Sequence, residues 1–223
     1  MRSYAQYCPI AKTAEIVGDR WSILILRDML VGGHRFNDLV RGLPGISRSL
    51  LAHRLRQLEA TGLVSKTADG YELTPAGLDL RGVVFGMAEW GAKWAFPEPK
   101  AEDLDPDLLV WWMHGQMDQD VAPGARATVE IEFSDCNARY WLVIESDDVS
   151  VCLTDPGFDV DLVLRASRRI LYLVWLGRME FSHALRDGEI ELSGEPGLVR
   201  DFPLWLRLSP TSPAVRAAIP IRV

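Results

Sequence analysis

The chain has 223 residues, a formal net charge of -7 and three cysteines, enough length for one large domain or two of ordinary size. No run of about 18 apolar residues exists to span a bilayer and no signal-peptide core opens the chain, so a soluble cytoplasmic protein without membrane attachment is expected. Three cysteines do not make a disulfide framework, and no Cys or His spacing suits zinc, so neither a metal nor another cofactor is expected. The charge is unevenly spread. Residues 1–66 carry ten Lys+Arg and five Asp+Glu, a net of +5, whereas residues 101–223 carry eleven and twenty-one, a net of -10. That asymmetry points to two modules, one for a polyanion and one that phosphates repel or that is merely well solvated.

Cys8-Pro9 predicts a helix with proline in its first turn and Ile10, Ala14 and Val17 on its apolar face. Asp19 is the expected cap of a second helix, which buries Trp21, Ile23, Leu24, Ile25, Leu26 and Leu30 and stops at Gly32-Gly33. A third helix is expected from Arg35 to Arg41, and Leu43-Pro44-Gly45-Ile46 forms a turn. Ser47 then caps a basic helix in which Leu51, Leu55 and Leu58 recur at spacings of four and three and face the core. Arg48, Ser49, Ala52, His53 and Arg56 face away from that stripe. Arg54 borders it and either braces the fold or meets a phosphate.

Gly62-Leu63-Val64, a tip at Asp69-Gly70 and a return strand over Tyr71–Thr74 predict a tight hairpin. A basic helix followed by such a hairpin is a winged helix-turn-helix, whose second helix enters the major groove of double-stranded DNA. The candidate contacts are Arg35 as a phosphate anchor, Ser47, Arg48, Ser49, His53, Arg54 and Arg56 on the recognition helix, and Lys66 on the wing. Thr74-Pro75 opens a long helix to about Phe96 with Leu80, Val84, Met87, Trp90 and Trp94 in one stripe. That stripe needs a cover. A second subunit would supply it and would match half-sites about 34 Å apart; the acidic half of the same chain is the alternative.

Cys8-Pro9-Ile10, Gly18-Asp19-Arg20-Trp21, Ile25-Leu26-Arg27-Asp28, Arg35-Phe36 with Asp38-Leu39, the run from Gly45-Ile46-Ser47 to Gly62-Leu63-Val64, and Tyr71–Gly77 together resemble the HxlR family of bacterial transcriptional regulators. The resemblance covers roughly residues 5–97. It implies a homodimer built through the terminal helices, a palindromic operator and a recognition helix from Ser47 to Ala60. The short wing departs from many members. Some members sense oxidants through a cysteine that Cys8 matches, so a thiol-based redox sensor with a purely structural C-terminal domain is the alternative reading.

Pro97–Lys100 and the acidic residues after it are expected to be a linker. Beyond it, a helix over 108–113, strands over 128–133, 139–145, 149–153, 160–164 and 189–193, and helices capped by Ser167, covering about Glu180–Arg186 and starting at Pro196, predict an α+β layer. The first three strands read as an antiparallel meander. The last helix is expected to carry Leu198, Phe202, Leu204, Trp205 and Leu208. The succession of the strand Val160–Ser167, Leu176-Gly177-Arg178 and Ala184–Pro196 resembles the sterol carrier protein type 2 superfamily. That resemblance implies a five-stranded sheet with packed helices around an apolar tunnel, and transfers no catalytic residue. Trp175, Met179, Phe181 and Trp205 are the candidate ligand contacts on its helices.

The expected organisation is therefore a winged helix-turn-helix DNA-binding and dimerisation domain over 1–97 and a sterol carrier protein type 2-like domain over 105–223. The expected function is operator binding modulated by a hydrophobic small-molecule effector. Without a Ser-His-Asp spacing, a nucleophile elbow or a phosphate loop, enzymatic activity is not expected.

Overall fold

Helix α1 (Pro9–Val17) starts at its proline, as the sequence predicts, and buries Ala11 and Val17. The computed structural model describes residues 3–118, 126–146 and 148–218, and contacts divide the chain into Met1–Met87 and Ala88–Val223. Ile10 departs from the expected apolar face of α1 and is largely exposed. Helix α2 (Ser22–Leu30) is not capped by Asp19; that carboxylate is bound to Arg54 instead. Helix α3 spans Phe36–Gly42 and helix α4 spans Arg48–Ala60. Strands β1 (Val64–Lys66) and β2 (Tyr71–Leu73) pair antiparallel as the wing. Ile25, Leu26, Leu39, Leu51, Leu55 and Leu58 form the centre of this unit's core.

The long helix expected over residues 75–96 is two. Helix α5 (Pro75–Asp79) ends at Leu80, and helix α6 runs from Arg81 to Trp94. The reason lies in how α5 is pinned. The Thr74 hydroxyl donates to the Gly62 carbonyl and accepts from the Gly77 amide. A Cβ on Gly77 would lie 2.2 Å from the Leu63 carbonyl oxygen, so only glycine permits this approach. Arg81, the first residue of α6, reaches back to the Leu30 carbonyl at 3.2 Å.

Asp28 is buried on the core side of α2 with Arg27 as its bonded partner. Burial pushes its carboxyl up to about 6, with the Arg27 charge and hydrogen bond pulling the other way. A folded-state value above the unfolded one means the native unit holds this proton more tightly. The associated stability is present below about pH 4 and is lost as pH rises through about 6. Asp28→Asn is therefore expected to resist urea better than wild type at pH 7.5, by up to about 3 kcal/mol, with the difference gone by pH 4. A difference that does not change with pH would sink this assignment.

The second unit is built on five strands, β3 (Ala127–Phe133), β4 (Arg139–Ile144), β5 (Val149–Cys152), β6 (Leu162–Ala166) and β7 (Ile190–Gly194). Their spatial order is β5-β4-β3-β6-β7, with β3 and β6 parallel and every other pair antiparallel. The predicted meander is thus β3-β4-β5. Along β3, Val129, Ile131 and Phe133 are buried while Glu130 and Glu132 pair with Arg139 at 3.2 and 2.9 Å. Strand β6 begins two residues later than expected. Asp161 fixes its start by exchanging main-chain and carboxylate bonds with Thr128, and its carbonyl accepts from Glu195.

Five helices accompany this sheet: α7 (Pro106–His114), α8 (Arg168–Trp175), α9 (Phe181–Arg186), α10 (Pro196–Trp205) and α11 (Ser212–Ala218). The last is absent from the sequence reading. Leu204, expected to pack, is exposed. The stretch expected to be a free linker is bonded. The nearly buried Arg178 donates to the Pro97 carbonyl and to Glu98, lies over the Phe96 ring, and shares Glu98 with Arg169. Residues 96–98 are therefore tied to the two ends of the α8 segment.

Candidate functional site

The recognition helix α4 starts where Ser47 Oγ accepts the Leu50 amide at 3.2 Å, a side-chain cap as the sequence predicts. Leu51, Leu55 and Leu58 are fully buried, which fixes the rotation of the helix about its axis. Ser49, His53 and Arg56 then recur at spacings of four and three on the solvent side, and all three are exposed. Ser47 and Arg48 are exposed at the N-terminal end. That is where a helix in the major groove presents its first side chains to base edges.

Arg48 is not free in solvent. Its guanidinium donates to Asn37 Oδ1 at 2.8 Å and sits 5.1 Å from the centre of the Phe36 ring. Both partners lie in the first turn of α3, so α3 holds Arg48 in place and limits the rotamer entropy lost on contact. Asn37 is the positioning residue that sequence reasoning missed. No local signal marks it, because it meets Arg48 across eleven positions and a turn.

Arg54 is engaged within its own unit. Its guanidinium binds Asp19 and donates to Gln57 at 2.6 Å, and only 17% of the side chain is exposed. It ties α4 to the segment before α2. Arg35 is exposed at the N-cap position of α3. Lys66 is exposed at the end of β1, opposite Tyr71. The wing is anchored by the Tyr71 amide donating to the His34 carbonyl at 2.8 Å, and a Cβ on Gly70 would meet that same oxygen at 2.4 Å. With Asp69 and Glu72 beside Lys66, the wing carries no surplus of positive charge for the phosphates.

The stripe expected to dimerise divides. Val84 is buried in the core of the first unit, and Leu80 is partly buried against that core. Met87, Trp90 and Trp94 are 53%, 64% and 67% exposed. Cys8 is half-buried at the N-cap position of α1, and its sulfur is in no disulfide. In the second unit, Trp175 and Trp205 lie in the core, with Met179 and Phe181 half-buried against it.

These features were compared with known proteins. The HxlR-like helix-turn-helix model matches residues 16–99. The HTH-type transcriptional regulator sll1512 of Synechocystis is 34% identical over 94 residues, which are 39% of this chain and 70% of that relative. This chain belongs to the HxlR-like helix-turn-helix family. The HTH-type transcriptional regulator Rv3095 of Mycobacterium tuberculosis is 37% identical over 102 residues, 43% of this chain and 63% of its own length. Among solved structures, the quinone-bound YodB from B. subtilis is 32% identical over 39% of this chain and all of its own, with a TM-score of 0.37. These two relatives carry the names of transcriptional regulators, not of enzymes. No helix among the described residues is long and apolar enough to cross a membrane.

Proposed function

We propose that this HxlR-like protein is a one-component transcriptional regulator. A homodimer binds a palindromic operator through α4, and a hydrophobic effector held in residues 105–223 modulates that binding. The observation that carries the DNA half is the exposed Ser49–His53–Arg56 stripe on a helix whose rotation the leucine core fixes. Met87, Trp90 and Trp94 support dimerisation, since large exposed aromatic side chains on one helix commonly mark a contact surface. Residues 1–97 are then the DNA-binding and dimerisation module.

The effector half rests on the resemblance of residues 105–210 to the sterol carrier protein type 2 superfamily and on a five-stranded sheet with packed helices. A route for coupling is built into the same half. Helix α8 bears the candidate contact Trp175, and Arg169 in its first turn and Arg178 three residues beyond its end grip the residues that follow α6. Movement of α8 on ligand binding would shift the end of α6. Only a ligand that favours one arrangement over the other changes operator affinity, and typical coupling alters it about 5- to 150-fold.

The test is native mass spectrometry of the purified chain, extraction of any bound molecule, and operator titration before and after adding it back. A dimer carrying an apolar mass whose removal changes operator affinity is the expected result. Operator affinity that is the same with and without the extracted molecule would remove the effector from the reading.

A further inference from the structure

Buried polar atoms in folded proteins are nearly always hydrogen-bonded, so an orphan marks strain or an absent partner. Among the described residues, four buried side-chain nitrogens have no partner, and three of them belong to the second unit: Trp175 Nε1, Trp205 Nε1 and His183 Nδ1. The two tryptophans are only 4% and 2% exposed, so water at the surface cannot serve them.

These three residues sit on elements that meet. Trp175 is the last residue of α8, Trp205 the last of α10, and His183 lies in the first turn of α9. Ser209, four residues beyond Trp205, donates its amide to the Trp175 carbonyl at 2.9 Å. Phe181, which starts α9, lies 6.4 Å from the Phe202 ring, which in turn lies edge-on to Trp205 at 5.7 Å. The Trp205 carbonyl is itself bonded to the Asp118 amide, whereas its indole N–H is not bonded.

An indole N–H only donates, so the missing partner must accept. A buried carboxylate would need a cation beside it. Arg178 is paired with Glu98 at 2.6 Å, Arg207 with Asp118 at 2.6 Å, Arg216 with Glu180 at 3.1 Å and Arg200 with Asp201 at 2.7 Å, while Arg186 at the end of α9 is exposed. An uncharged oxygen is the acceptor that two neutral donors can hold in apolar surroundings. We infer that the corner where α8, α9 and α10 meet binds the carbonyl oxygen of an otherwise apolar ligand, with Trp175 and Trp205 as the donors. This rests on the effector reading above and names the chemistry of its ligand.

The test follows the tryptophan Nε1–H signals of the full ¹⁵N-labelled chain titrated with 2-nonanone, nonane and octanoate. Two indole signals are expected to move with the ketone and stay in place with the alkane. Each hydrogen bond is expected to favour the ketone about five-fold. Trp175→Phe and Trp205→Phe should each delete one moving signal and about five-fold of that preference. Because phenylalanine leaves core volume empty, a second chain carries 3-benzothienylalanine at every tryptophan, which keeps the shape and removes the N–H. It should bind ketone and alkane alike. Equal wild-type affinity for ketone and alkane with unmoved indole signals overturns the carbonyl site while leaving the effector reading intact. A preference for octanoate overturns the uncharged acceptor. Binding of none of the three probes overturns the effector reading itself.

Discussion

Trp90→Glu combined with Trp94→Glu is expected to yield a folded monomer that no longer binds a palindromic operator cooperatively. Both indoles project from α6 with about two-thirds of their surface in solvent, 64% and 67%. Covering that remainder on a full-sized tryptophan is worth about 2–3 kcal/mol each at ordinary transfer coefficients. In a two-fold dimer every such residue counts twice. Losing four indoles and placing four carboxylates at the seam should raise the dimer dissociation constant by well over about a hundred-fold. Because both positions are exposed, the fold should tolerate the change, and circular dichroism checks that. Sedimentation at micromolar concentration reads the assembly, and band shifts on a full operator and on a half-site read its consequence. A double variant that remains dimeric would place the dimer seam elsewhere, with Ile10 and Tyr7 on the N-terminal segment the next exposed apolar groups to examine.

The facing of α4 was legible because one helix repeat decides it. Leucines at 51, 55 and 58 leave a single solvent side, and burial follows that stripe residue by residue. Arg54 was ambiguous for the same reason. It borders the stripe, and the side it takes depends on Asp19, thirty-five positions away. Local pattern also failed at Leu80. Nothing in a continuous apolar period announces that Thr74 and Gly77 lock α5 against Gly62 and Leu63, yet with that lock the helix is interrupted at Leu80, which packs against the core while Val84 is buried in it. The β6 start was misplaced because Val160 reads as strand by propensity, whereas Asp161 sets the register through bonds to Thr128 that only the folded sheet supplies. The composition of the second half announced a supply of tryptophans. That two of them would be buried with their N–H groups unmatched is a property of packing, and no composition carries it.

Arg48→Ala and Arg35→Ala are expected to weaken DNA binding in different ways. Arg48 stands at the N-terminal end of α4, steadied by Asn37 and Phe36, and its fork can meet the O6 and N7 of a guanine in the major groove. Removing a bidentate base contact costs about 1–3 kcal/mol, so operator affinity should fall about 5- to 150-fold while affinity for unrelated duplex changes little. Arg48→Lys should not rescue it, since an ammonium has no fork. Asn37→Ala should have a smaller effect in the same direction, because it loosens the arginine without deleting it. Arg35, exposed at the N-cap of α3, is proposed to meet phosphate, which carries no sequence information. Arg35→Ala should lower affinity for operator and unrelated duplex by the same factor, and should reduce the slope of log K against log salt by about one. The measurement is fluorescence anisotropy on both duplexes across a salt series. Indistinguishable profiles for the two alanine variants would mean that α4 does not present Arg48 to the bases. The readout would then fall to Ser49, His53 and Arg56, the exposed stripe that begins beside Arg48 on the same helix.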